Sequence, residues 1–153
     1  LDPSAIPVLL SGNRVIDVPY TFGDKEYQIS CVGMGNPHCV TFVDDVDVID
    51  LPVVGPAFEH AVIFPERVNT EFVQVVDPLH LKMRVWERGS GETFACGTGA
   101  CACVVAAVEN GHCPKDTPIT VSLRGGDLTI TYTDTAVMME GPAVTVFEGV
   151  CQI

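Results

Sequence analysis

Gly91-Glu92-Thr93-Phe94-Ala95-Cys96-Gly97-Thr98-Gly99-Ala100 is the stretch of sequence from which the fold can be worked out. Residues 100–108 extend it as an apolar run, which predicts a helix enclosed by protein on every side. The pair Asn110-Gly111 supplies an expected left-handed stop, and Pro114 follows soon after. At about a dozen residues, such a helix is too short to span a bilayer. The sequence therefore predicts one buried central helix around which the other elements are arranged.

Cys96 stands at the predicted start of this helix, next to a Gly-Thr-Gly sequence. Unpaired N–H groups and the positive end of the helix dipole meet at the first turn and favour negative charge there. We therefore expect either a thiol with a lowered pKa at Cys96 or a ligand carboxylate bound at the helix start. The alternative is that Cys96 is a small buried hydrophobic residue, as free cysteines commonly are.

The composition is that of one acidic globular domain. The chain has 153 residues, of which 47% are hydrophobic, and this is enough to bury a sizeable core. Its formal net charge is −12, without a cluster of Lys or Arg, so the basic surface typical of nucleic-acid or anionic-membrane binding is missing. The seven cysteines are odd in number and lie mostly in apolar stretches, which predicts a reducing, cytoplasmic location.

Short β-rich segments separated by turn residues predict most of the remaining structure. The expected strands are 15–20, 25–32, 39–43, 71–76, 79–86, 119–123, 128–132, 137–140 and 143–147, and a second helix is expected at 51–60, capped by Asp50. The first two strands should form a hairpin, as should 71–76 with 79–86, and the last four should form an antiparallel meander. We therefore expect an α+β domain, with an antiparallel or mixed, barrel-like sheet wrapped around the central apolar helix.

Three polar clusters stand at the ends of predicted strands. They are Gly35-Asn36-Pro37-His38, Arg67-Val68-Asn69-Thr70-Glu71 and Glu87-Arg88-Gly89-Ser90-Gly91-Glu92. The amides of Asn36 and Asn69 can bind carboxylate and ammonium groups alike, and Arg88 offers a planar fork suited to a carboxylate. Together they are typical of an amino-acid-binding site. Taken singly, the asparagines could be turn residues, and Glu87 with Arg88 a surface pair.

These three motifs, in this order and followed by Ala-Cys-Gly-Thr-Gly, resemble the second half of the diaminopimelate epimerase family. The resemblance covers essentially the whole chain. The cysteine loop alone is only moderately specific, because related cofactor-independent racemases such as proline racemases have similar loops. The three motifs together are highly specific.

The resemblance implies a protein of two similar halves, each a barrel-like sheet around a central helix, with the substrate in the cleft between them. The implied reaction interconverts LL- and meso-diaminopimelate, in the biosynthesis of lysine and of peptidoglycan precursors. Cys96 would be one of two acid/base cysteines, and His38 and Glu87 would tune the pKa values of the cysteines.

The resemblance also implies which residues hold the substrate. One set would bind its distal amino-acid end, and the backbone amides at the start of the helix would bind the reacting carboxylate. The first set is Asn36, Asn69, Glu87 and Arg88, and the amides are those of Gly97 and Thr98.

The sequence departs from the family pattern in one large respect. The partner cysteine of the family lies in a Cys-Gly-Asn-Gly type of motif, which this sequence does not contain. We therefore expect residues 1–153 to be a single domain, half of a two-domain epimerase, inactive alone and completed by a missing N-terminal half. Leu1-Asp2-Pro3 reads like the middle of a longer protein, and the last strand, about 143–153, would belong with the missing half. The uncovered cleft face also makes a homodimer a candidate assembly.

The expected chemistry needs neither a metal nor a pyridoxal cofactor. Inverting a stereocentre requires removal of a proton from one face and return of a proton to the other, which two opposed acid/base groups can perform. The four histidines are scattered, and Cys96, Cys101 and Cys103 do not have a zinc-binding spacing, so no metal site is expected.

Several alternatives remain open at the level of the sequence. The protein could be a related proline racemase-like isomerase, or a non-catalytic module that binds amino acids. Cys39 adjoins His38 and could be the nucleophile of a Cys-His hydrolase. Cys101 and Cys103, further along the helix, are expected to be packing residues.

Overall fold

The computed structural model describes residues 1–152. These residues form a single mixed β-sheet and two helices, joined by turns and loops. The strands are β1 Val18–Phe22, β2 Lys25–Gly33, β3 Pro37–Phe42, β4 Asn69–Asp77, β5 His80–Glu87, β6 Gly91–Thr93, β7 Ile119–Leu123, β8 Gly126–Tyr132 and β9 Val137–Glu140. The helices are α1 Leu51–Glu59 and α2 Gly97–Glu109.

The strand order is β1-β2-β3-β4-β5-β7-β8-β9, with β6 paired to β5 beside this path. The β3–β4 and β5–β7 pairs are parallel and the other pairs are antiparallel. Both predicted hairpins, the antiparallel run from β7 to β9 and the α+β class are confirmed. The sheet is open rather than a closed barrel, since β1 and β9 do not pair with each other in the described part of the chain.

Helix α2 is the predicted central helix. Residues 99–107 of its 13 residues are all buried, and it packs against β2, β3, β4, β5, β7, β8 and β9. It ends where the sequence predicts: the Asn110 N–H donates to the Ala106 carbonyl, and Gly111 has a positive φ of 76°. Strands β2, β3, β4, β5, β7 and β8 each contribute buried apolar side chains to the core around α2. Neither helix within residues 1–152 is long and apolar enough to cross a membrane.

The two faces of the sheet carry separate cores. Along β4, Val73 packs in the core around α2, whereas Phe72 packs in the core beneath α1. In the α1 core, Phe58 stacks on Phe22 with ring centroids 3.7 Å apart. Because strand side chains alternate between faces, Glu71 lies on the α2 side with Val73. Glu71 therefore places a carboxylate against the apolar helix α2, where it needs a polar partner.

The predicted strand at 143–147 is wrong. These residues have no ladder partner within the described chain, and their side chains are open to solvent, with Phe147 82% exposed. A strand requires a hydrogen-bonded neighbour, and none of residues 1–152 supplies one.

Two smaller details also differ from the prediction. Asp50 occupies the N-cap position of α1 but makes no side-chain capping hydrogen bond. Strand β6 was not expected, because three residues that include a glycine give no detectable alternation; it forms by pairing with the end of β5.

Candidate functional site

The three polar clusters meet at one end of the sheet. Strands β3 and β4 run parallel with His38 opposite Asn69, so both begin at this end. Strand β5 runs antiparallel to β4 and therefore finishes there, at Glu87. The start of α2 lies at the same end, where Asn36 Nδ2 donates to Thr98 Oγ1 over 3.4 Å. The fold thus brings together residues that are far apart in the sequence.

Cys96 lies at the N-cap of α2, as the sequence predicts, with extended backbone angles of φ −141° and ψ 102°. The residue is 7% exposed, and its Sγ lies 3.6 Å from Thr98 Oγ1. A β-carbon added to Gly97 would lie 3.1 Å from the sulfur of Met139 on β9. The side chain of Met139 therefore packs closely over the cysteine loop.

The pKa of Cys96 is raised above its ordinary value, so the expected lowering is wrong for this chain. Burial is the largest cause, because it disfavours the charged thiolate. The carboxylates of Glu71 and Glu87 raise the pKa further, while the Thr98 hydroxyl and the Gly99 N–H lower it. The donors at the helix start are present, but burial outweighs them. The protonated thiol is therefore the favoured form at neutral pH.

His38 and Glu71 form a buried pair, each with 0% of its surface exposed. His38 Nδ1 lies 2.7 Å from Glu71 Oε1, and His38 Nε2 lies 2.9 Å from Asn36 Oδ1. Glu71 also adjoins the first turn of α2: a β-carbon at Gly99 would lie 2.7 Å from Glu71 Oε1 and 3.2 Å from Cys96 Sγ. His38 thus contacts Asn36 and Glu71, and Glu71 and Cys96 both lie beside Gly99.

Glu71 is a residue of the site whose role the sequence analysis missed. Its motif was noted, but Glu71 itself was given no role. The signal that could have identified it is the two-residue alternation of β4, which places a carboxylate on the same face as Val73. A carboxylate that faces a fully apolar helix needs a buried partner, and that partner is His38.

Asn69 and Arg88 are joined through the backbone of the turn after β5. The Arg88 N–H donates to Asn69 Oδ1 over 2.9 Å, and Arg88 Nη1 donates to the Glu66 carbonyl over 2.9 Å. Because the oxygens of Asn69 and Asn36 are both engaged by protein, the NH₂ groups are the parts of these amides that can face a ligand. Together with the guanidinium, they form a set of donors suited to a carboxylate.

Glu87 lies at the end of β5, where its carboxylate accepts a hydrogen bond from the Thr93 hydroxyl. It is partly buried and contributes to the raised pKa of Cys96. The tuning role of Glu87 stays a prediction.

A cavity of about 580 Å³ opens beside these residues. Asn36, Glu66 and Arg88 line one side of it, and residues between Leu1 and Pro7 line the other. Two of the predicted substrate-binding side chains therefore share one cavity. Neither Cys96 nor its neighbours in the cysteine loop are among the lining residues, so the cavity does not enclose the cysteine.

The structure does not bring Cys39 and His38 together as a nucleophile and its base. Cys39 packs in the α1 core and pairs across the strands with Cys31, whereas His38 points to the opposite face and contacts Glu71. Burial raises the pKa of Cys39 well above its ordinary value. The arrangement needed for a Cys-His hydrolase is therefore not formed.

Cys101 and Cys103 are packing residues of the α2 core, as the sequence predicts. Burial raises the pKa of both thiols, and Cys103 Sγ lies 3.6 Å from the sulfur of Met83. Among the residues that the structure describes, no group of three or more His, Cys, Asp or Glu side chains is arranged to hold a metal ion.

Comparisons with known proteins give a consistent result. A family model described as diaminopimelate epimerase matches residues 30–146. The diaminopimelate epimerases of Synechococcus elongatus and Trichodesmium erythraeum are 53% and 51% identical to this chain over 97% and 96% of its length. The chain spans about half of those relatives, 54% in each case.

A solved structure shares the fold. The crystal structure of a phenazine biosynthesis protein of the PhzF family from Enterococcus faecalis matches 71% of this chain and 40% of its own, with a TM-score of 0.50. The sequence identity is 15%, so this likeness concerns the fold alone.

Proposed function

The chain belongs to the diaminopimelate epimerase family, and we propose that it is the second half of a cofactor-independent epimerase that interconverts LL- and meso-diaminopimelate. The observation that carries this proposal is the meeting of Asn36, Asn69, Glu87 and Arg88 with Cys96 at one end of the sheet. The protein would work in a reducing, cytoplasmic setting, in the biosynthesis of lysine and peptidoglycan precursors.

In this proposal Cys96 is one of two acid/base groups that face opposite sides of the substrate α-carbon. One group removes the α-proton and the other returns a proton from the opposite side, which inverts the stereocentre. The second cysteine comes from the other half of the enzyme. Because burial raises the pKa of Cys96, the thiol is its favoured form, and we assign it the role of proton donor in one direction of the reaction. The reaction in the other direction would then start with the opposite cysteine as the donor.

Developing charge in this reaction falls on the carboxylate of the reacting carbon. The backbone amides of Gly97 and Thr98 belong to the first turn of α2, where unpaired N–H groups can donate to an anion. Such donors stabilise a carbanion as its charge spreads into the carboxylate. This is the role we assign to both amides.

The distal end of the substrate is an amino acid, with a carboxylate and an ammonium group. We assign its carboxylate to the NH₂ groups of Asn36 and Asn69 and to the guanidinium of Arg88, since all three are donors. We assign its ammonium group to Glu87, because the other three offer no free negative charge. The cavity that Asn36 and Arg88 share supports this arrangement.

The missing half would cover an apolar surface beside Cys96. Phe94, just before the cysteine, is 72% exposed, and Met139, which packs over Gly97, is 53% exposed. Beyond β9, the chain from residue 143 to 152 is extended and exposed, and it carries further apolar side chains. We assign this segment to the other half, where it would find the strand partner that residues 1–152 do not give it. A homodimer through the same face stays a prediction.

The test is reconstitution. The chain alone should not interconvert the stereoisomers of diaminopimelate in deuterated water, because inversion needs an acid/base group on each side and a single cysteine faces the substrate. Addition of the N-terminal half of a relative should restore interconversion of the stereoisomers, and Cys96→Ala should abolish it. Robust epimerisation by the isolated chain would contradict the half-enzyme proposal. Binding without proton exchange in the reconstituted protein would favour the amino-acid-binding module.

A further inference from the structure

The proposed reaction leaves the burial of Glu71 unexplained. Its side chain is 0% exposed, and its Oε2 makes no hydrogen bond with any of residues 1–152. A carboxylate with an unpaired oxygen in the protein interior is costly unless a positive charge or a proton compensates it. The polar partner that Glu71 does have is His38, at 2.7 Å. The hydrogen bonding of Glu71 therefore acts through this histidine.

Both ring nitrogens of His38 face oxygen atoms. Nε2 lies 2.9 Å from Asn36 Oδ1, an atom that can only accept, so Nε2 carries a proton. Nδ1 lies 2.7 Å from Glu71 Oε1, and a second proton must lie between these two atoms for the contact to be attractive. The pair therefore holds one proton more than a neutral imidazole beside an ionised carboxylate. It is either imidazolium with carboxylate or imidazole with carboxylic acid, and both are neutral overall.

This extra proton determines which way the Asn36 amide points. If the ring had one proton, placed between Nδ1 and Glu71, Nε2 would be an acceptor and the amide would turn its NH₂ group toward it. In the structure Oδ1 faces the ring, and Nδ2 faces Thr98 Oγ1 at 3.4 Å. We propose that Glu71 is a positioning residue, which acts through His38 to fix the Asn36 amide with its NH₂ group toward the cleft. This deepens the proposed function and rests on it only for the identity of the ligand, a carboxylate.

The close contact of Glu71 with α2 gives a second reason for the pair to be neutral. Glu71 is near enough to the first turn that a β-carbon at Gly99 would lie 2.7 Å from its Oε1. A free negative charge here would act on Cys96, whose pKa Glu71 already raises. Pairing with His38 compensates the negative charge of Glu71, so less of that charge acts on the Cys96 thiol. The proton that orients the Asn36 amide therefore also limits the effect of Glu71 on Cys96.

The first experiment observes the protons directly, in the chain alone. Nitrogen NMR of ¹⁵N-histidine-labelled protein at pH 7, assigned with His38→Gln, should show a protonated His38 Nε2. In Glu71→Gln the pair loses its extra proton, so the ring should carry a single proton; a change from two protonated nitrogens to one would identify the wild-type pair as imidazolium with carboxylate. Glu109→Gln removes the same charge at the far end of α2 and should leave the His38 signals unchanged. An unprotonated Nε2 in the wild type, or a ring with two protonated nitrogens in Glu71→Gln, would overturn the proposal.

A second variant covers the case in which Glu71→Gln does not fold. Asn36 lies in a partly exposed loop, and Asn36→Asp replaces the amide with a group that presents only oxygens. If Asn36 Oδ1 accepts from His38, the protonated Nε2 signal should persist in this variant. If the wild-type amide instead donates to Nε2, the substitution should convert an unprotonated Nε2 into a protonated one, and the proposal fails.

The reconstituted enzyme gives an independent readout. Glu71→Gln should raise KM for diaminopimelate about three- to tenfold, the loss expected when one hydrogen bond is no longer held in place, with a smaller change in kcat. Glu109→Gln should change neither constant. A wild-type KM in Glu71→Gln would contradict the positioning role. If the reconstituted wild type shows no turnover, it is the proposed function that fails, and the NMR results alone decide the role of Glu71.

Discussion

Glu59, at the end of α1, accepts a hydrogen bond from the indole N–H of Trp86, with 2.8 Å between Glu59 Oε2 and Trp86 Nε1. The other carboxylate oxygen accepts from the Gly89 N–H at 2.9 Å and from Arg67 Nη1 at 3.2 Å. The helix approaches the indole so closely that a β-carbon at Gly55 would lie 2.3 Å from the ring. Helix α1 thereby anchors both ends of the turn that carries Glu87 and Arg88.

Replacement of Glu59 should therefore destabilise the fold. All three partners of the carboxylate are donors, so the NH₂ group in Glu59→Gln must face one of them. We expect the free energy of unfolding to fall by about 1–3 kcal/mol, as for a buried donor left without its acceptor. Urea denaturation at pH 7 measures the difference. Glu26→Gln, on the exposed side of β2, is the matched control and should stay within about 0.5 kcal/mol of the wild type.

The same carboxylate should make this difference depend on pH. Burial by itself raises the pKa of Glu59, but hydrogen bonds from Trp86 and Gly89, with the charges of His60 and Arg67, outweigh it and lower the pKa. A carboxyl whose folded pKa lies below its unfolded value stabilises the fold above the unfolded value, and this stabilisation is lost as the pH falls. The gap between wild type and Glu59→Gln should be full near pH 7 and shrink below about pH 4. A gap that widens in acid would contradict this prediction.

Arg88→Ala should impair substrate binding in the reconstituted enzyme. The change removes a guanidinium next to the shared cavity, and each charge-assisted hydrogen bond lost costs about 1.5–3 kcal/mol. We expect kcat/KM for diaminopimelate to fall by roughly tenfold or more. Arg14→Ala removes the same charge from the ion pair with Glu109, far from the site, and should be neutral. Equal kinetics for the two variants would refute the assignment of Arg88.

Thiol labelling should follow the exposure of each cysteine and the donors near it. Cys151 is exposed and should alkylate first, so the comparison is best made in a Cys151→Ser background. Cys96 should come next, because the Thr98 hydroxyl and the Gly99 N–H partly offset its burial. Burial raises the pKa of Cys113 to about 11, and Cys101 has no such donors among the influences on its thiol. Brief iodoacetamide treatment with mass-spectrometric mapping gives the order, and labelling of Cys101 before Cys96 would contradict it.

Gly99→Ala should disturb the site from within. The added methyl group would lie 2.7 Å from Glu71 Oε1 and 3.2 Å from Cys96 Sγ, so one of them must move. We expect a destabilisation of about 1–3 kcal/mol, as for other overpacked interiors. Gly149→Ala adds the same group where the nearest atom is 3.9 Å away, and it should have no comparable effect. Thermal or urea unfolding of both variants tests the contact.

Much of the fold was predictable because it depends on local patterns. The apolar run after Cys96 has no polar face, and it forms the buried helix α2. The alternation of side chains in β4 and β5, with the turn between them, predicts the hairpin that these strands form. Residues 143–147 have the same β-rich character, yet they form no strand, because pairing depends on a neighbour that local sequence does not reveal. Strand β6 is the opposite case, a segment without a pattern that is ordered by its neighbour.

The proximity of the candidate site residues was predictable from the sequence, but their electrostatics were not. Sequence motifs placed Asn36, Asn69 and Arg88 together, and their contacts agree. The direction of the pKa shift of Cys96 was wrong, because the helix-start donors are visible in the sequence whereas the extent of burial is not. Glu71 was overlooked because its buried partner, His38, lies 33 positions away in the sequence.

The parallel pairing of β3 with β4 has a consequence for the order in which the protein folds. A hairpin can form from adjacent residues, but two parallel strands require a crossover, which here is the whole of residues 43–68 with α1 inside it. His38 and Asn69 therefore meet only after this long loop has closed. Closure lowers the conformational entropy of the chain before the contacts between the two strands can stabilise it. A nascent or partly unfolded chain can have its helix and hairpins and still lack the pocket. The candidate site is thus completed only when these two strands pair, and it is lost at the first step of unfolding that separates them.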